Sequence, residues 1–284
     1  MAKYTREEIE AIVKEKGTLA GLDLEGVDLS NMRLMGVDLS GANLTRADLS
    51  QSSLYGANFR GATLLKANLE RANLNGTDLE DCNLLGANLD GTRLRDIKMN
   101  SEFMVVNEKE YYRALKRGDK ETAKAKLTEA RDVYRLLRAA FEWQSQSRDV
   151  GMVFIREMTV SRRMLPRFSP RRLWSKIADI STGYGESIGR IITSMFVIMI
   201  VSAILFGIGG VEYGDEALRF GVGNILETGG NLFYFSAVVF TTVGFGDIVP
   251  LGALSKVTMM VEGFLSIIYM AILIIALYKR SMAR

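Results

Sequence analysis

The residues Thr241-Thr242-Val243-Gly244-Phe245-Gly246-Asp247 lie between two long apolar runs, and the chemistry they offer is that of the backbone. A cation leaving water needs a stack of oxygens in place of its hydration shell. Thr242, Val243, Gly244 and Phe245 can supply backbone carbonyls to K⁺, and the Thr242 hydroxyl adds a lower ring. Aiming successive carbonyls the same way requires alternating backbone handedness, and Gly244 and Gly246 enter the left-handed region without a Cβ penalty. Asp247 then places a carboxylate at the outer mouth. Four copies of the loop would close the cage, so the stretch reads as an ion-selectivity filter. An isolated Gly-x-Gly is more simply a soluble hairpin, but the flanking segments argue against that.

Those segments must hold the loop. The 284 residues divide into a polar front two-thirds and an apolar final third. Ile191 to Val211 has no charged residue, and a helix of that length reaches ~32 Å, against a hydrocarbon core of about 30 Å. A second apolar run, Val257 to Tyr278, is interrupted only by Glu262 and ends at Lys279-Arg280. At membrane depth, irregular backbone survives only where it is buried in protein or lines a cavity. Residues 187–284 are therefore expected to form a pore domain with spans at 190–211 and 254–279. A re-entrant pore helix at 230–240 and the filter at 241–247 follow an outer loop from Glu212 to Gly230. The carbonyl end of such a helix favours a cation.

Arg162, Arg163, Arg167, Arg171, Arg172, Lys176 and Arg190 precede the first span, and Lys279, Arg280 and Arg284 follow the second. This pattern predicts cytoplasmic termini and attraction to anionic membrane lipids. The first residues are charged and do not read as a signal peptide, and Cys82 as sole cysteine suits a reducing compartment.

Phe235 to Phe240 followed by Thr241 to Pro250 resembles the pore helix and filter of two-transmembrane-helix bacterial potassium channels, whose related loop reads TVGYG. The resemblance implies a homotetramer in the bacterial inner membrane that conducts K⁺ passively, with K⁺ at Thr242, Val243, Gly244 and Phe245 and no cofactor. Phe245 replaces the usual tyrosine and removes a phenol that could hydrogen-bond to the pore helix, which leaves a weakly selective cation channel as an alternative. Glu262 and Gly263 are the gating candidates: a proton-sensitive group and a hinge, or a carboxyl hydrogen-bonded behind the pore helix and a site of close approach.

In the front half, leucine recurs at every fifth position from Leu24 to Leu54 and from Leu64 to Leu94, with Phe59 in the gap. Two residues earlier stand small side chains such as Ala42, Ala47, Ala57, Ala62, Ala67, Ala72 and Ala87, with Thr77 and Cys82 as variants. Both positions must point inward. Units such as Ala42-Asn43-Leu44 and Ala67-Asn68-Leu69 resemble pentapeptide repeats, which implies a right-handed quadrilateral β-helix over 20–104. Four units per coil give about four coils and a prism ~19 Å tall. Thr5-Arg6-Glu7-Glu8 reads as a capping box opening a helix within 1–19 that closes the prism.

Residues 105–169 are expected to be a cytosolic helical linker. Asn107-Glu108-Lys109-Glu110 would start one helix, and Asp119 another whose apolar face is Ala123, Leu127, Ala130, Tyr134, Leu137 and Phe141. A third, from Arg148 to Arg163, presents Val150, Phe154 and Met158 and would fold back as a hairpin. Residues 170–186, rich in cations, Trp174 and aliphatics, read as an interfacial helix resembling the slide helix of two-span channels.

The whole chain is thus expected to be a multidomain membrane protein: β-helix, helical linker and all-α pore domain. It has no histidine, and no nucleophile, base or metal cluster is evident, so an enzyme is not expected. Asp48, Glu70 and Asp90 alternate with Arg46, Arg60, Lys66 and Arg71, which argues against DNA mimicry and a nucleic-acid partner. No helix carries arginine at every third position, so a voltage sensor is not expected. The prism would be a regulatory, sensing or assembly module, with a cytosolic protein or ligand as its partner. The rival class is a membrane-tethered scaffold whose prism binds a protein while the pore is closed or vestigial.

Overall fold

The computed structural model describes residues 3–143, 147–214, 216–221 and 224–282. Arg284 of the terminal basic cluster lies outside them, as do positions 215, 222 and 223 of the outer loop. The chain forms two compact units, one running up to Lys176 and the other from Ile177 to Met282.

In the first unit, the five-residue period becomes one face of a coil. Parallel bridges join Asp23 to Asn43, Asn43 to Thr63 and Thr63 to Asn83, so each strand pairs with the one twenty residues on, as four faces per turn demand. Leu24 to Leu94 and Phe59 fill the axis, and the alanines beside them are buried. Two polar residues at the small positions are satisfied internally: Thr77 Oγ1 donates to Leu74 O at 2.7 Å and Thr92 Oγ1 to Leu69 O at 2.8 Å. Outside, asparagines climb the faces as ladders, with Asn58 Nδ2 donating to Asp38 Oδ1 at 2.9 Å and Asn68 Nδ2 to Asp48 Oδ1 at 3.1 Å.

The corners were not legible from the leucine period. Each requires a left-handed residue, supplied by glycine at Gly36 (φ 67°) but by Arg46 (φ 57°) and Lys66 (φ 55°) elsewhere. A side chain there costs roughly 1–2 kcal/mol. The corner amide offsets it by bonding the next coil, as Arg46 N–H does to Leu65 O at 2.9 Å.

Helix α1, Arg6–Lys16, opens on a complete capping box: Glu8 N–H donates to Thr5 Oγ1 at 3.3 Å and Thr5 N–H to Glu8 Oε2 at 2.8 Å. Its Ile9 is buried in the β-helix core. Strand pairing already begins at Thr18, which bridges Asp38, and Leu19 is buried, so the coil starts slightly before residue 20.

The linker holds α2 (Val106–Lys116), α3 (Lys120–Trp143) and α4 (Ser147–Met164), with α3 packed against both others. Asp119 caps α3, its Oδ1 accepting from Thr122 N–H at 3.0 Å. Asn107 does not cap α2; the helix starts from Val105, and Asn107 is buried as its second residue, its Nδ2 donating to Glu129 Oε2 at 2.9 Å. The buried stripe of α4 is Val153, Glu157 and Val160 rather than Phe154 and Met158. The reason is electrostatic: Glu157 is drawn inward by Arg135 Nε at 3.0 Å and Arg138 Nε at 2.8 Å on α3.

A buried polar knot ties this unit together. Tyr134 on α3 donates to Glu108 Oε2 and accepts from Val105 N–H at 3.2 Å, while Arg156 Nη1 on α4 stands 3.7 Å from Glu108 Oε1. Burial and the Glu108 charge together raise the Tyr134 pKa above the ordinary phenol range.

Helix α5, Pro170–Thr182, ends where Gly183 turns left-handed (φ 57°), and α6, Ile188–Gly209, starts from the Ser187 cap. The second unit continues with β1 (Val211–Tyr213), β2 (Glu216–Leu218), α7 (Ile225–Phe240), β3 (Ile248–Pro250) and α8 (Ala253–Met282). Helices α6 and α8 are long and apolar enough to cross a membrane. They meet at small residues: a Cβ on Gly252 would stand 2.7 Å from Gly209 O, and Ser255 Oγ donates to Gly210 O at 2.8 Å. The expected outer loop contains structure of its own, because β1 pairs antiparallel with both β2 and β3 in the order β2-β1-β3.

Candidate functional site

Helix α7 is longer at its start than the expected 230–240. Asn224 caps it, its Oδ1 accepting from Leu226 N–H at 3.1 Å, and the helix runs straight through Gly229-Gly230 to Phe240. Glycine weakens a helix interior by only about 1 kcal/mol, which Leu232, Phe235 and Phe240 outweigh by burial. At the far end Thr241 keeps helical angles and donates its hydroxyl to Ala237 O at 2.7 Å.

The backbone then alternates. Thr242, Gly244 and Gly246 have φ of 58°, 60° and 76°, so every second residue is left-handed. The two glycines fit the expectation from sequence; Thr242 does not, since a β-branched residue with positive φ is strained. Its hydroxyl donates to Thr241 O at 2.7 Å. Val243 and Phe245 are 55% and 68% exposed in the single chain, so no packing within the chain holds this segment.

It is held at its ends. Before it, Thr242 N–H and Val243 N–H donate to Val239 O and Val238 O of α7, at 3.1 and 3.2 Å. Beyond it, Ile248 is buried and β3 pairs with β1, Tyr213 opposite Ile248. Between the two, the Tyr234 hydroxyl of α7 donates to Asp247 Oδ2 at 3.0 Å.

Behind the loop lies a cavity of about 380 Å³ bounded by Phe235, Val239, Gly244, Ile248, Met259 and Gly263. The structure thus brings Gly263 beside the 242–246 segment, and a Cβ there would meet nothing within 4 Å. Glu262 is 1% exposed and hydrogen-bonded to Ser236 Oγ, which also lies 2.9 Å from Met199 O. One serine therefore links α6, α7 and α8. Neither Ser236 nor Tyr234 stood out in the sequence, and strands of three residues are too short to show a period.

The segment following the first apolar helix, residues 218–280, matches the family described as "Ion channel". Between residues 18 and 100 the chain matches the family described as "Pentapeptide repeats (8 copies)" in four overlapping stretches, 18–51, 33–65, 52–91 and 64–100. No curated protein matches it. Among solved structures, a pentapeptide repeat protein from Nostoc Pcc 7120 is 34% identical over 32% of this chain and 75% of its own, with a TM-score of 0.31. The pentapeptide repeat protein Rfr23 from the cyanobacterium Cyanothece 51142 is 38% identical over 30% of this chain and 54% of its own, with a TM-score of 0.23. The chain joins an N-terminal pentapeptide-repeat β-helix to a membrane ion-channel domain with two helices fit to span a bilayer.

Proposed function

We propose that the protein is one subunit of a homotetrameric, K⁺-selective channel that conducts passively across the bacterial inner membrane, both termini facing the cytosol. The observation that carries this is the alternating handedness at Thr242, Gly244 and Gly246, set directly on the carbonyl end of α7. That alternation lets the carbonyls of Thr242, Val243, Gly244 and Phe245 face one way, and four such loops give K⁺ the oxygen cage it needs. Helix α7 is the re-entrant pore helix, and Asp247 forms the outer mouth. The exposed Val243 and Phe245 side chains are covered by neighbouring subunits.

Glu262 positions α7 through Ser236, and Gly263 gives the inner helix α8 room to bend beside the filter. Leu173, Trp174, Ile177 and Ile180 of α5 are exposed along one side, which suits a helix lying on the inner leaflet. The β-helix serves regulation or assembly in the cytosol.

Purified protein in liposomes should pass K⁺ in preference to Na⁺, with block by barium. Barium-insensitive leakage of both ions alike would overturn the reading. A weaker selectivity is favoured by one observation: Phe245 has no hydroxyl to offer α7 and is 68% exposed in the single chain. The K⁺/Na⁺ permeability ratio decides between the two. Deleting residues 1–101 separates channel from scaffold, because a channel continues to conduct without its prism.

A further inference from the structure

The first unit contains a cleft of about 760 Å³ at the meeting of α2, the end of α4 and the start of α5, a size that suits a small ligand. Tyr111, Arg163, Arg167, Arg172 and Lys176 line it. Several arginines elsewhere in this unit find carboxylates: Arg135 and Arg138 meet Glu157, Arg156 meets Glu102, and Arg60 meets Glu80. Here Arg163, Arg167, Arg172 and Lys176 form no ion pair among the described residues. Like charges gathered without a counter-charge repel one another, and an anion between them removes that cost.

Two of these cations are also fixed in place. Arg163 stacks its guanidinium 4.9 Å from the Tyr112 ring centroid and 5.9 Å from that of Tyr111. Arg172 Nη1 donates to Leu165 O at 3.1 Å, which holds the half-buried fork at the α4–α5 corner. Arg167 and Lys176 are exposed at the rim. Planar forks held by stacking and backbone contacts, with an ammonium beside them, match a multiply charged phosphate better than a lone carboxylate.

We propose that this cleft binds a multiply charged phosphate group, carried either by a soluble polyphosphate or by a phosphomonoester lipid headgroup. The reading is independent of ion selectivity. Arg172 and Lys176 both sit on α5, so an occupied cleft orders the first turns of the helix that leads into α6.

The test uses the full chain in phosphatidylcholine nanodiscs at constant ionic strength. Tripolyphosphate is titrated by calorimetry with sulfate as the control anion, and parallel nanodiscs containing phosphatidic acid are examined by native mass spectrometry for retained lipid. The variants are Arg163→Gln/Arg167→Gln/Lys176→Gln and the rim pair Arg167→Gln/Lys176→Gln, which leaves the stacked arginine intact and keeps the test valid should the triple variant misfold. Arg33→Gln/Arg93→Gln/Arg95→Gln on the β-helix removes as many exposed charges elsewhere. Saturable tripolyphosphate binding that weakens about tenfold or more in the cleft variants supports a soluble ligand, since each charge-assisted bond is worth about a factor of ten. Phosphatidic acid retention lost only in the cleft variants supports a lipid. The proposal is overturned if neither probe separates wild type from the cleft variants, or if the β-helix variant loses as much.

Discussion

The Tyr234 hydroxyl donates to Asp247 Oδ2 at 3.0 Å, bridging the body of α7 to the residue just beyond Gly246. The segment between is exposed and gains its shape from its two ends, so this bond is one of few that a single chain can use to set its length. Tyr234→Phe should lower the K⁺/Na⁺ permeability ratio severalfold, read from reversal potentials. Asp247→Ala should do much the same, and the double variant no more, because both remove one interaction. Additive losses would show that the two residues act separately.

Gly244→Ala tests backbone handedness apart from crowding. A Cβ at Gly244 meets nothing within 4 Å, yet its φ of 60° disfavours any L side chain by about 1–2 kcal/mol. The variant should fold and assemble as wild type does while K⁺ flux in liposomes falls to background. Normal flux would mean that the left-handed turn is dispensable.

Ser236→Ala leaves the buried Glu262 carboxyl without its α7 partner. An unsatisfied buried polar group costs about 1–3 kcal/mol, so the variant should melt at lower temperature in detergent. Glu262→Gln keeps a hydrogen-bonding side chain and should melt closer to wild type. If Glu262 only positions α7, the open probability of Glu262→Gln should follow that of wild type at every pH; divergence would return the carboxyl to a role in gating.

Tyr134→Phe should destabilise the first unit by roughly 1–3 kcal/mol, because Glu108 is fully buried and loses a donor. Urea unfolding followed by circular dichroism measures this. A midpoint unchanged from wild type would mean that Arg156 and the Tyr112 hydroxyl suffice for Glu108.

Cys82 lies among the β-helix side chains, and burial pushes its thiol far above the ordinary range. The reactive thiolate is therefore scarce, and maleimide should fail to label the native protein at neutral pH but label it rapidly in denaturant. The labelling rate then reports opening of the coil. Rapid native labelling would show that the last coils fray.

Some features were legible along the chain because they repeat or run on. A leucine at every fifth position cannot be buried by a helix or a flat strand, so the run from Leu24 to Leu94 marks a repeating coil, and its resemblance to pentapeptide repeats implies the four sides. The charge-free run from Ile191 to Val211 and the left-handed Gly244 and Gly246 likewise carry their meaning locally. The tertiary structure decided what depends on single contacts between distant positions. Which stripe of α4 turns inward was settled by Glu157 reaching Arg135 and Arg138; of the locally apolar pattern only Val150 packs on the core, and Phe154 and Met158 do not lie on the buried stripe. Strands β1 and β3 exist because they pair across the chain, and three residues alone have no preference strong enough to announce it. Tyr234 and Ser236 looked like two more side chains of an apolar helix until the fold brought Asp247 and Glu262 against them. Periodic burial is additive along a segment and so is written in it, whereas a hydrogen bond between residues far apart exists only once the chain has closed around it.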